Sequence, residues 1–132
     1  MDAKRFNHIP CAPLTGGPYA QAVVHNGLVY VAGQIPWDSA SQKLFVGDVA
    51  AETRNVFDNL RVILKACGSD LDHVLRVTVL LTDSTAAKEF SAAYKAIFKP
   101  DCLPVRTMVF VTGLPLGASI ELEVTAALSP SA

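Results

Sequence analysis

The order of apolar patterns along the chain, β-β-α-β-α-β-β, predicts an α+β domain: a mixed sheet with two helices on one face. Three observations carry that prediction. Two stretches repeat apolar residues at the helical period. The other stretches alternate or are rich in β-branched residues, and Gly, Pro or Asn-Gly bounds them. Each helix lies between strands, which demands crossover connections and places both helices on one side of the sheet. At 132 residues the chain is one domain, 1–132, long enough to bury a core.

Residues 1–18 read as an irregular N-terminal segment, because Pro10, Pro13, Gly16, Gly17 and Pro18 forbid a regular helix. Tyr19 to Val24 reads as a strand. Asn26-Gly27 is a hairpin signal, with Leu28 to Ile35 as the return strand. Strict alternation puts Val29, Val31, Gly33 and Ile35 on one face and Leu28, Tyr30, Ala32 and Gln34 on the other. Gly33, in mid-strand, marks either a bulge or the close approach of a ligand or another backbone. Residues 37–47 read as loop.

Asp48 is placed to cap a helix that runs to Cys67 and stops at Gly68. Val56, Phe57, Leu60, Ile63, Leu64 and Cys67 form its core stripe, which makes Cys67 a packing residue. His73 to Leu81 alternates, with Leu75, Val77, Val79 and Leu81 on the apolar face. Ser84 or Thr85 would cap the second helix, whose stripe is Phe90, Ala93, Tyr94, Ile97 and Phe98, and Pro100 ends it. A final hairpin is expected from the run at Pro104–Val111, the Gly113-Leu114-Pro115 turn and the run from Ile120. In the last strand Ile120, Leu122, Val124 and Ala126 face one way, and Glu121, Glu123 and Thr125 the other. The sheet face expected to carry Gln34, Arg76, Thr78 and Glu121 has no cover within the chain. With 51% hydrophobic and only 17% charged residues, this pattern predicts a homo-oligomer whose sheets face inward, with sites at the subunit boundary.

A net charge of −1 and a pI near 6.3 lack the electropositive footprint of a nucleic-acid binder. Cys11, Cys67 and Cys102 are an odd, sparse set, which suggests reduced thiols in an intracellular protein. His8 and Cys11 lie three apart with no second pair, so no metal site is expected. No run reaches the roughly 18 apolar residues of a membrane span. The first residues lack a signal-peptide core. A cytoplasmic location is expected, with a mitochondrial one also compatible.

Two charged residues stand where strands usually carry none. Arg106 opens an apolar β-branched run, and its planar fork suits a carboxylate. Glu121 opens the last strand. The alternative is an exposed strand-end Arg with a solvent-facing Glu, or an internal ion pair. No phosphate-cradling glycine loop, dinucleotide fingerprint or Ser-His-Asp ordering is present. The available chemistry is an anion clamp, a water-orienting carboxylate and a Tyr hydroxyl. That set suits water attack on an already electrophilic carbon of a small carboxylate.

Several spaced motifs, from about Pro10 to Leu128, resemble the reactive intermediate deaminases of the RidA (YjgF) family. They are Gly17-Pro18-Tyr19-Ala20-Gln21, Ala32-Gly33-Gln34-Ile35-Pro36, the Asn55–Leu60 helix segment, Val77-Thr78-Val79, Pro104-Val105-Arg106, and Leu114-Pro115 with Ile120-Glu121-Leu122-Glu123. The resemblance implies a chorismate-mutase-like fold of the bacillary type, assembled as a homotrimer with clefts between subunits. It implies hydrolysis of 2-imino acids or their enamine tautomers, such as 2-iminobutanoate and 2-iminopropanoate, to 2-keto acids and ammonia, with no cofactor. By position, Arg106 would clamp the substrate carboxylate with help from the Gly33 N–H, and Glu121 would hold or deprotonate the attacking water. Tyr19 would line the pocket, and Met108 would contact substrate through its carbonyl. The chain departs from the family pattern at Ser91, often Asn, at Met108, often Cys, and at Ala32, often Ser. Two other readings stand beside the enzyme: a trimeric binding module for 2-keto acids, and a ribonuclease- or chaperone-like relative.

Overall fold

The computed structural model describes residues 2–130. In chain order the elements are β1 (Lys4–Phe6), β2 (Ala22–His25), β3 (Leu28–Gln34), β4 (Trp37–Asp38), β5 (Lys43–Leu44), α1 (Val49–Ala66), β6 (Val74–Leu81), α2 (Ala87–Lys95), β7 (Val105–Phe110) and β8 (Ile120–Ala127). β4 and β5 form a separate small ribbon. The others make one sheet in the order β1-β2-β3-β8-β6-β7. All its pairings are antiparallel except β6 with β7, which is parallel. The α+β class and mixed sheet stand as expected, and both helices contribute to the core that covers one sheet face.

α1 forms where its signals lie. Asp48 is extended and accepts the Ala51 N–H at 2.7 Å. Gly68, at φ +85, takes the left-handed turn beyond the end. Its stripe buries Val56, Phe57, Leu60, Ile63 and Leu64 completely. Each such side chain stabilises the fold by about 1.5–3 kcal/mol relative to exposure. Phe57, Tyr94 and Phe98 meet edge-on or tilted, with ring centroids 4.9 to 5.8 Å apart, and lock α2 onto α1. Cys67 is buried, and burial pushes its thiol pKa up, which suits a packing role.

Elsewhere the structure corrects the reading. The N-terminal segment is not wholly irregular, because Lys4–Phe6 precede the Pro- and Gly-rich run and pair with Ala22–Val24 at the sheet edge. The strand expected from Tyr19 starts at Ala22 instead, since the Tyr19 N–H turns back onto the Gly17 carbonyl at 2.9 Å. The Asn26-Gly27 hairpin holds, with both residues at positive φ. Neither Ser84 nor Thr85 caps α2. Asp83 caps a short 3₁₀ turn over Ser84–Ala86, accepting from the Thr85 N–H at 2.9 Å, and α2 continues from there. That helix ends at Lys95, before Pro100.

Two bulges overturn the expected strand faces. Between Val31 and Gln34 β3 spends three steps where β8 spends two, from Val124 to Leu122. The extra residue reverses the parity, so Gln34 is buried on the core side and Gly33 is turned to the open side. Between Val74 and Arg76 a second bulge pushes Leu75 outward and puts Val74 in the core. The final pair is no hairpin. β8 inserts between β3 and β6, while β7 lies parallel at the far edge. The open sheet face thus carries Arg76, Thr78, Glu121 and Glu123, with Tyr30, Leu75, Val105 and Val109 as exposed apolar groups. Among the described residues, no helix is long and apolar enough to cross a membrane.

Candidate functional site

The β3 bulge builds the floor of the site. It turns the backbone of Gly33 outward beside β8, directly under Glu121. A Cβ at Gly33 would lie 2.7 Å from Glu121 Oε2 and 3.0 Å from its carboxyl carbon. A Cβ there would push that carboxylate aside, so the bulge reading of Gly33 holds, and the group that comes close is the Glu121 side chain rather than another backbone. A buried amide brace fixes the bulge from behind. Gln34 Nε2 donates to the Ala32 carbonyl at 3.0 Å and to Gln21 Oε1 at 3.4 Å, and Gln21 Nε2 donates to the Pro13 carbonyl at 2.6 Å.

Glu121 is half-buried. Desolvation raises its pKa above the ordinary value of 4.5, and the like charge of Glu123 on the same face adds to the shift. It is therefore a stronger base than a solvated glutamate. Beside it opens a cleft of about 540 Å³ whose walls include Tyr19, Gly33, Trp37, Leu116 and Glu121. Tyr19 is 51% exposed, and its hydroxyl accepts the Gly16 N–H at 3.2 Å.

Arg106 and Met108 do not line this cleft. In the parallel pairing of β6 and β7, Arg106 stands beside Val77 and Met108 beside Val79, both core-facing positions. Arg106 therefore emerges on the helix side of the edge strand, whereas Glu121 lies on the open side. The guanidinium sits 4.8 Å from the Tyr94 ring centroid and 5.9 Å from that of Phe90, a cation–π seat on α2. Its Nη2 donates to Ser91 Oγ at 3.3 Å. Among the described residues it makes no ion pair. Ser91, where the family pattern often has Asn, thus touches the candidate clamp. Met108 is partly buried and packs against the core. Ala32 lies in the bulge, where its N–H donates to the Gln21 carbonyl at 2.9 Å.

Sequence reasoning missed the wall of the cleft. Trp37 stands in what reads as loop, and α1 pins it from outside the local sequence. Its N–H donates to Asn55 Oδ1 at 2.7 Å, and its carbonyl accepts from Asn55 Nδ2 at 3.1 Å and Asn59 Nδ2 at 2.9 Å. The available signal was a pair of asparagines one helical turn apart, beside the apolar stripe. A second missed tie lies outside the cleft lining. Buried Glu52 accepts from Ser119 Oγ at 2.6 Å and from the Gly47 N–H at 3.1 Å, joining the start of α1 to the turn that precedes Glu121.

These features describe a mixed sheet with helices on one face, an uncommitted carboxylate over a glycine bulge beside a cleft, and an edge-strand guanidinium that is seated on α2 without an ion-pair partner among the described residues, in a domain whose other sheet face is unpartnered. Residues 10–128 match the family model described as Endoribonuclease L-PSP, and the chain belongs to that family, which includes the YjgF and RidA proteins. A human protein named 2-iminobutanoate/2-iminopropanoate deaminase is 40% identical over 119 residues, covering 90% of this chain and 86% of that protein. The crystal structure of the yeast protein YEO7 superposes with a TM-score of 0.91 at 31% identity, covering 97% of this chain and all of that one. RidA from an Antarctic Psychrobacter gives 0.89 at 30% identity, over 95% of this chain and all of that one.

Proposed function

We propose that this chain is a 2-imino acid deaminase, hydrolysing 2-iminobutanoate and 2-iminopropanoate type intermediates to 2-keto acids and ammonia. The observation that carries the reading is the Glu121 carboxylate, pressed over Gly33 at the edge of a cleft with its pKa raised. The name of the human relative supports the same chemistry. The site is completed between subunits of a homotrimer. Arg106 of one copy reaches the Glu121 cleft of the next, and the apolar open face is buried at the same time. The opposite-face placement of the two residues supports this assembly, because no single sheet can bring them into one cavity.

In this mechanism the guanidinium grips the substrate carboxylate through two parallel hydrogen bonds, and the Gly33 backbone assists. Glu121 accepts a proton from water as the water oxygen bonds to the imine carbon. Glu121 returns that proton to nitrogen, giving the neutral tetrahedral adduct; it then takes the adduct's hydroxyl proton and delivers it to the same nitrogen, so that the C–N bond breaks, ammonia leaves and the C=O of the keto acid forms. The imine carbon is already electrophilic, so positioning and a base suffice without a cofactor. The cytoplasm or the mitochondrial matrix suits such imines, which pyridoxal-phosphate enzymes release. The family model's own name points to RNA, but a net charge of −1 lacks the electropositive surface that binding a phosphate backbone demands.

An assay that generates the imine enzymatically and lets semicarbazide compete for it tests this directly. Wild type should suppress semicarbazone formation. Arg106→Lys should cost at least about tenfold in kcat/KM, because a point charge cannot reproduce the bidentate grip. Glu121→Ala should keep 2-keto acid binding and lose turnover. A wild type that binds 2-keto acids but accelerates no imine would replace this reading with the binding module.

A further inference from the structure

We infer that the cleft selects 2-imino acids with bulky apolar or aromatic side chains over the short ones, and that Trp37 sets this preference. The inference rests on the deaminase reading and deepens it. Three observations support it.

The protomer's share of the cleft, before Arg106 of the next copy enters it, is about 540 Å³, within the roughly 300–1,000 Å³ of sites that hold drug-sized ligands, and so leaves room beyond a short imino acid. Beyond Glu121 and Gly33, which face the reacting end, the lining includes Leu14, Trp37 and Leu116.

The three glutamine amides of the lining are already engaged. Gln21 and Gln34 hold the bulge, as described. Gln42 accepts from Trp37 Nε1 at 2.9 Å and from the Leu14 N–H at 3.3 Å, and its Nε2 donates to the Ser39 carbonyl at 2.7 Å. The amides therefore brace the wall, and what the wall presents to a ligand is mainly hydrocarbon and indole, with the Thr15 and Tyr19 hydroxyls beside them.

The wall is also rigid and displayed against the usual rules. Trp37 is held at its backbone by Asn55 and Asn59 and at its ring by Gln42. Leu116 sits at φ +57, in the left-handed region that favours glycine, and is 72% exposed. Leu14 is 55% exposed. Strained backbone that presents an apolar side chain into a cleft is the kind of feature that gathers at ligand clamps. A bulky apolar side chain would cover these groups, and a methyl group would leave them in water. One methylene in a hydrophobic pocket discriminates by roughly 10- to 200-fold.

The test compares kcat/KM for imines made by an L-amino-acid oxidase from alanine, leucine and phenylalanine, again with semicarbazide competition. The expected result is a wild-type preference of at least about tenfold for the leucine or phenylalanine imine over the alanine imine. Trp37→Ala should reduce that ratio about tenfold, and Trp37→Phe should keep most of it, because the wall survives while the indole N–H is lost. Should Trp37→Ala fail to fold, Leu116→Ala reports on the same ratio from the other rim. Equal or better use of the alanine imine by wild type, or a ratio unmoved by these variants, would overturn the inference and leave the deaminase reading intact. No acceleration with any imine would overturn both.

Discussion

Glu121 concentrates the residue-scale argument, because two separable causes raise its pKa. Burial comes first and the Glu123 charge second. The acid limb of kcat/KM reports the free enzyme's base. Glu123→Gln removes only the like charge, so that limb should move to lower pH while the alkaline side stays in place. Profiles of both proteins across the acid range decide it; a limb that stays fixed or moves upward would separate Glu121 from the proton transfer. For the fold, the sign is opposite to that of an ion-paired carboxylate. The folded protomer holds this proton more tightly than the unfolded chain. The stabilisation is full below pH 4.5 and is lost as pH rises through the raised value. Arg106, Glu121 and Gly33 were legible as candidates because a charge or a glycine in an unusual strand context is a local signal, whereas Tyr19 came only with the family resemblance. Trp37 was not legible, because asparagines 18 and 22 residues away decide where it is held.

At the scale of elements, the asparagine pair on α1 makes the β4–β5 ribbon part of the site. Asn55 satisfies both the N–H and the carbonyl of Trp37, whereas Asn59 adds a second donor to the same carbonyl. Asn55→Ala orphans a part-buried N–H and should cost about 1–3 kcal/mol; Asn59→Ala leaves the carbonyl one partner and should cost less, about 1 kcal/mol or under. Urea unfolding with unchanged m-values checks the order, and an Asn59 variant at least as destabilised as Asn55→Ala would refute it. The same scale shows why α1 was readable and β3 was not. Asp48, the apolar stripe and Gly68 all act within the helix itself. Strand parity, by contrast, depends on the partner's register. One extra residue in β3 and one in β6 exchange the faces of Gln34 and Leu75, and nothing local announces either bulge.

The whole molecule raises a question no single protomer answers. The two crossover helices, both packed on one side, anticipated an uncovered sheet face, because no further element of the chain is left to cover the other side. The neighbours of β8 were not legible: the last two strands are adjacent in sequence, yet β8 pairs with β3 and β6 while β7 takes the edge. That insertion puts Glu121 near the middle of the open face and leaves Arg106 at the rim on the opposite side. If each site joins Arg106 of one copy to Glu121 of the next, two dead variants must rescue each other. Arg106→Ala subunits still carry Glu121, and Glu121→Ala subunits still carry Arg106. After unfolding and refolding together in equal amounts, random cyclic assembly pairs an intact Arg106 with an intact neighbouring Glu121 in about one site in four. Activity should therefore return to about a quarter of wild type in the mixture, while each variant refolded alone stays inactive. A mixture as inactive as its parents would mean that both residues act within one subunit, which the opposite faces forbid, or that one of them lies outside the site.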